Sequence, residues 1–227
     1  MPSIFEDLLV RARNLVRDGE RAILGVAGGP GAGKTTLAES LTRALNADGP
    51  PWVAHVPMDG FHLADAELER LGRRDRKGAP DTFDAGGYAA LLRRLRTETD
   101  EVVYAPGFER VLEQPLAGAI PVPPSARLVV TEGNYLLLRE GSWARVRPLL
   151  DEVWYCEVDE AERVRRLVAR HEEFGKPHTD AMAWVLGPDQ RNADLIATTR
   201  DAADLIVPCA ALPSPQGTPS VPSPASG

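Results

Sequence analysis

A three-layer α/β sandwich, with a parallel sheet between two layers of helices, is the fold this sequence predicts. Three observations carry that reading. Short apolar runs alternate with amphipathic helical stretches along the 227 residues, the pattern of a parallel sheet covered on both faces. The first run, "AILGVAGG" (22–29), breaks directly into the glycine-rich "GGPGAGKT" and then into a helix. Two further runs, "WVAHVPMD" and "RLVVTEG", each surface at a carboxylate, Asp59 and Glu132.

The elements follow in order. Residues 4–18 set Ile4, Leu8, Leu15 and Val16 at helical spacing, which predicts an amphipathic helix laid against the domain. The run at 22–29 is nearly unbroken and reads as a buried parallel strand. "TTLAESLTRAL" (35–45) puts Leu37, Leu41 and Leu45 on one helical stripe. A second strand is expected at 52–59, with Pro57 marking an irregular end. "GGYAALLRRLR" (86–96) reads as a helix and "EVVYAPGF" (101–108) as a strand running into a loop. Core strands are expected at 127–133 and 151–159, a helix in "EAERVRRLVARHEE" (160–173) and a last strand in "ADLIVP" (203–208). From Pro208 onward come six prolines, many small residues and no charge, the composition of a disordered tail.

Composition narrows the function. With 43% hydrophobic and 26% charged residues, the chain is an ordinary globular one. A net charge of −7 offers no overall attraction to nucleic acid or an anionic membrane, so neither is expected as a partner. Two cysteines, Cys156 and Cys209, are too few for a disulfide framework. The first residues carry charges at every turn, and no run approaches a membrane span, so a cytoplasmic protein is expected. Oligomeric state is not legible, and a homo-oligomer stays open. Only three lysines occur, Lys34, Lys77 and Lys176, against 23 arginines, which makes each a residue to follow.

The stretch from Gly28 to Thr35 fits Gly, four residues, Gly, Lys, Thr. Glycines let successive backbone N–H groups turn inward around phosphate oxygens, and the next helix adds its positive end. A chance glycine-rich turn is the bland alternative, but the strand before and the helix after argue for a P-loop NTPase. Gly28, Gly29, Pro30, Gly31, Ala32, Gly33, Lys34, Thr35 and Thr36 are then the nucleotide-binding residues. Lys34 would reach the β- and γ-phosphates, and the Thr35 hydroxyl would hold Mg²⁺. No Asn-Lys-x-Asp segment for reading guanine is present, and the chain is short for a mechanical ATPase. Phosphoryl transfer to a small acceptor remains, with an ATPase or nucleotide switch lacking any acceptor as the competing class.

In open α/β sheets ligands gather at the carboxyl ends of the strands. Asp59 is therefore expected near the γ-phosphate, where a carboxylate can accept the proton of an attacking hydroxyl. Its bland role is to begin an Asp-Gly turn. Glu132, at the end of a neighbouring strand, suits Mg²⁺ directly or through water, the alternative being a buried glutamate paired with an arginine.

The phosphate loop, "MDGFH", "PDTFDAGGY" and "TEGNYLL" occur in one order over roughly residues 20–207. In this the chain resembles the uridine kinase, phosphoribulokinase and bacterial pantothenate kinase family. The resemblance implies ATP and Mg²⁺ as cofactors and transfer of the γ-phosphoryl group to a hydroxyl of a nucleoside, pantothenate-like or sugar acceptor. It implies Asp59 as general base, Glu132 near the metal, and Asp84, with Phe83 beside it, holding acceptor hydroxyls. The expected division is an N-terminal helix in 1–20, a kinase domain in 21–207 and the Pro-rich tail in 208–227. A helical lid is expected at about 163–190, its hinge at Gly175. Arg163, Arg166 and Arg170 share one helical face; Arg166 and Arg170 best match arginines that close on the phosphates, a solvated surface place is left open for Arg163, and a face merely paired with glutamates such as Glu160 and Glu173 is the alternative. Lys176 is a further phosphate candidate. One departure stands out. Related kinases carry Pro-x-Tyr near the acceptor, and here Phe108 takes the tyrosine's place, leaving Tyr104 or Arg110 as candidate substitutes. His62 is a candidate acceptor contact or a structural ring, and the basic loop "RRDRKG" (73–78) a candidate lure for an anionic acceptor. Arg191 and Asn192 are candidates near the nucleotide or lid.

Overall fold

The computed structural model describes residues 3–17 and 20–209. Five strands form one parallel sheet in the order β2 (Val53–Pro57), β5 (Leu128–Gly133), β1 (Ala22–Ala27), β6 (Glu152–Glu157) and β7 (Leu205–Pro208). The register aligns Pro57 with Glu132 and Glu132 with Val26, so three strands deliver their chain to one edge. Every residue of β1 and β5 is buried, as expected of central parallel strands.

The two faces are covered differently. On one, helix α2 (Lys34–Leu45) lays Leu37, Leu41 and Leu45 against Leu24, Val26, Leu128 and Val130. Helix α1 (Ile4–Asn14) joins this layer through Leu8 and Ala12, opening on a capping box between Ser3 and Glu6. On the other face, α4 (Ala85–Thr97) packs Tyr88, Leu92 and Leu95 in one cluster with Ile23, Val129 and Val153. The alternation of Ile23 to one layer and Leu24 to the other is the period-2 rule acting on a fully buried strand.

Several expectations need correction. Ile4 is 47% exposed, because α1 stops at Asn14 and turns Leu8 and Ala12 inward instead. The strand read at 101–108 does not enter the main sheet. It is β3 (Val103–Glu109), paired antiparallel with β4 (Gln114–Val122) in a separate hairpin. Sequence reading missed β4 because most of it is exposed and it carries Pro115 and Pro121. It also missed the short polar α3 (Asp65–Arg70).

After α5 (Glu160–Glu173) come α6 (His178–Trp184), a π-type turn over Val185–Asp189 containing Pro188, and α7 (Gln190–Ala197). Two residues drawn into the expected tail belong to the fold: Pro208 closes β7 and Cys209 is buried, packed in the α2 layer. The rest of the tail, 210–227, lies outside the described residues. Cys156 and Cys209 are both free and buried. No helix among the described residues is long and apolar enough to cross a membrane.

Candidate active site

The phosphate loop is built for close approach. Gly31 and Gly33 have φ of +79° and +94°, conformations that favour glycine. A Cβ on Gly31 would also lie 2.7 Å from Leu167 Cγ. Lys34 is buried, and its Nζ donates to the Gly29 carbonyl at 3.0 Å. Burial lowers its pKa, while the charges of Glu132 and Asp59 work the other way. The bare backbone turn, the lysine and the start of α2 fit a polyphosphate.

Glu132 is buried and accepts a hydrogen bond from the Thr35 hydroxyl at 3.0 Å. Burial, and then repulsion from Asp59, push its pKa up to about 7. No group of three or more metal-ligating side chains occurs among the described residues. One carboxylate and one hydroxyl, both hard oxygen donors, nonetheless fit Mg²⁺, which takes few protein ligands and completes its shell with waters and substrate phosphates.

The raised Glu132 pKa has a consequence for stability. Between about pH 4.5 and 7 the unfolded chain ionises this carboxyl while the folded protein keeps it protonated, so stability falls as pH rises through that window. Glu132→Gln is expected to raise the melting temperature of the nucleotide-free protein at pH 8, with the gain closing towards pH 4.5. Equal gains at both pH values in thermal melts would contradict this.

Asp59 lies in the 3₁₀ turn Met58–Phe61 that leaves β2. One of its oxygens accepts from Arg110 Nη2 at 3.3 Å. The His62 Nδ1–H donates to the Asp59 backbone carbonyl at 2.9 Å, and burial lowers the His62 pKa. The His62 ring stands 4.0 Å from that of Phe83 and 4.9 Å from that of Phe108. Backbone bonds from Leu63 to Thr82 and from Asp84 to Phe61 strap "PDTFD" alongside "MDGFH". Gly31, Lys34, Thr35, Asp59, Glu132 and Arg170 thus share one cleft of about 870 Å³ with His62, Phe83, Phe108 and Arg110.

Other expected residues lie elsewhere. Asp84 is exposed and outside that cleft: its side chain accepts from Gly87 N at 2.8 Å and caps α4, so its place is explained by the helix start. Tyr104 is 60% exposed, because the alternation of β3 turns Val103 and Ala105 inward and Tyr104 out. Arg163 is buried, not solvated. It packs behind Gly31, and its Nη2 donates to Gln190 while its Nη1 has no partner among the described residues.

Arg166 flanks the loop beside Gly33 and is held by Glu162 at 2.7 Å. Arg170 lines both the main cleft and the space beside Arg166; desolvation, then the Arg110 charge, lower its pKa. Lys176 sits over the Trp184 ring at the cleft margin. Asn192 is buried and donates to the Gly78 carbonyl. The basic loop is largely paired, Arg73 and Arg76 with Asp81, Arg74 and Lys77 with Asp65. Asn134 and Asp189 also line the cleft and were not singled out from the sequence, although Asn134 stands inside "TEGNYLL" and Asp189 just ahead of Arg191 and Asn192.

No family model matches the chain. A Schizosaccharomyces pombe protein provisionally named as a uridine kinase is 35% identical over 211 residues, covering 91% of this chain and 88% of that one. The chain belongs to the uridine kinase-like family of phosphate-loop kinases. A crystal structure from a Silicibacter species, provisionally named a fructose transport system kinase, superposes on this kinase with a TM-score of 0.83. It is 37% identical, covering 91% of the kinase and 100% of that chain. A pantothenate kinase from Leifsonia xyli is 34% identical over 134 residues, 56% of this kinase and 41% of that protein. The names of these relatives point to no single acceptor.

Proposed function

We propose that this kinase transfers the γ-phosphoryl group of ATP to a hydroxyl of a small acceptor of nucleoside, pantothenate-like or sugar type. The observation that carries the reading is the position of Asp59. Its charge is felt by Lys34 and Glu132 on the phosphate side, and it bonds Arg110, which stands at the Phe108 ring. A carboxylate between a phosphate cradle and an aromatic wall is where a base must stand to take a hydroxyl proton during in-line transfer.

Each neighbour then has a task. The backbone from Gly28 to Gly33 cradles phosphates, and Lys34 draws charge from the β- and γ-phosphates. Thr35 and Glu132 would hold Mg²⁺, which when bound neutralises charge on the phosphate oxygens. Arg166 and Arg170 reach the same loop from α5 and spread the charge of the group in flight. His62, Phe83 and Phe108 shape the acceptor side and exclude water.

The test is ADP formation by the full chain with Mg²⁺ against uridine, pantothenate, ribulose 5-phosphate and simple sugars. At least one acceptor is expected to raise the rate about 10-fold or more above the acceptor-free rate. Slow ADP formation indifferent to every acceptor would mean an ATPase or switch.

A further inference from the structure

Six lysines and arginines line the cleft: Lys34, Arg74, Lys77, Arg110, Arg170 and Lys176. A first set, Lys34 and Arg170, stands at the phosphate loop. A second, Arg110 and Lys77, stands at Phe108, each 5.6 Å from its ring centroid. From this second set, and resting on the kinase reading above, we infer that the acceptor carries an anionic group, a carboxylate or a phosphate, bound by Arg110 with Lys77 beside it.

Three observations lead there. The first is the state of Arg110. A guanidinium has five N–H donors, and the only hydrogen bond it makes among the described residues is the 3.3 Å one to Asp59, with 41% of the side chain exposed. Arg110 lines the cleft, and its remaining donors keep the fork geometry that carboxylate and phosphate match.

The second is where that bond sets the guanidinium. Arg110 touches only Oδ2 of Asp59, so Oδ1 stays open to the acceptor hydroxyl with the guanidinium beside it. An acceptor whose hydroxyl meets Asp59 brings its neighbouring groups within reach of the spare donors of Arg110, and an anionic group is the partner that matches them.

The third is Phe108. Its ring has no hydroxyl with which to bind a neutral polyol or ribose. It offers a face to cations instead, and two are gathered on it. Lys77 is fixed there by Asp65 at 2.8 Å and by the Glu113 carbonyl, with only 12% of its side chain exposed. Burial, and in smaller part the charges of Lys77 and Arg110, lower the pKa of neighbouring His62 against the opposite pull of Asp59.

The experiment compares acceptors in matched pairs with the full chain, Mg²⁺ and ATP: pantothenate against pantothenol, gluconate against glucose, and ribulose 5-phosphate against ribulose. In at least one pair the anionic member is expected to exceed its neutral partner in kcat/KM by about 100-fold or more. Arg110→Met should raise KM for that acceptor at least about 10-fold and shrink the preference, and Lys77→Met should do the same more weakly. Melting curves with and without ATP establish that both variants fold. Neutral members used as well as anionic ones would overturn the inference while leaving the kinase reading intact. So would an Arg110→Met loss confined to kcat and equal for both members of a pair, since Arg110 would then serve the transferred phosphoryl group. ADP formation that ignores every acceptor would overturn the kinase reading and the inference together.

Discussion

Asp59→Asn is expected to lower acceptor-dependent ADP formation by at least about 100-fold while leaving ATP affinity within a few-fold. The substitution is chosen because it separates two explanations of one residue. Asparagine has the same shape, begins an Asx-Gly turn as readily as aspartate, and can still accept a hydrogen bond from Arg110. If Asp59 only shapes the 3₁₀ turn after β2, the variant should behave like the parent. If it removes the acceptor's proton, the amide cannot replace it and kcat collapses. Nucleotide affinity is the internal control, because the Asp59 side chain makes no hydrogen bond to the phosphate loop or to Lys34 among the described residues. The measurement is kcat with the best acceptor, alongside ATP affinity by calorimetry. A change in kcat of less than about 3-fold would return Asp59 to the status of a turn residue.

What could be read in advance, and what could not, follows from the range of the interactions. β1, the phosphate loop and α2 are legible because strand, turn and helix are contiguous and each obeys a local rule. Asp59 and Glu132 were legible as strand-end carboxylates, and the register that aligns Pro57 with Glu132 makes them neighbours. The hairpin was not legible, because β4 is too exposed to show a buried periodicity. With it went the geometry of the acceptor wall: Lys77 and Arg110 meet around Phe108 only because the hairpin folds back across the turn that carries Asp59. Asp84 illustrates a different case. Its place before an apolar helical stripe is an N-cap signature in its own right, and the structure gives it that role at the start of α4. Arg163 shares a helical face with Arg166 and Arg170, but spacing along one helix cannot tell that its stem lies behind Gly31.

The second large effect is expected at Gly60. Nothing about its backbone demands glycine; the demand is steric. A Cβ there would lie 2.3 Å from the Pro106 carbonyl oxygen and 2.6 Å from its carbon, and both are backbone atoms of β3 that cannot swing aside. Gly60→Ala must therefore push the hairpin off the Asp59 turn, at a cost of about 1–3 kcal/mol or more, as for other overpacked sites. The hairpin carries Phe108 and Arg110, so the displacement moves the acceptor wall relative to the base that must meet the hydroxyl. A misplacement near 1 Å costs roughly 100-fold in rate, so acceptor kcat/KM should fall by about that factor. ATP affinity should hold, because no atom of the phosphate loop is among the contacts of the added Cβ. Gly49→Ala is the contrasting variant. Its added Cβ meets nothing within 4 Å, and any loss there comes from its φ of +116° and should appear in the melting temperature alone. Acceptor kinetics unchanged in Gly60→Ala would mean that the hairpin position does not set the geometry of transfer. Acceptor kinetics lost with ATP affinity intact would tie the acceptor wall to Asp59 through a single backbone contact.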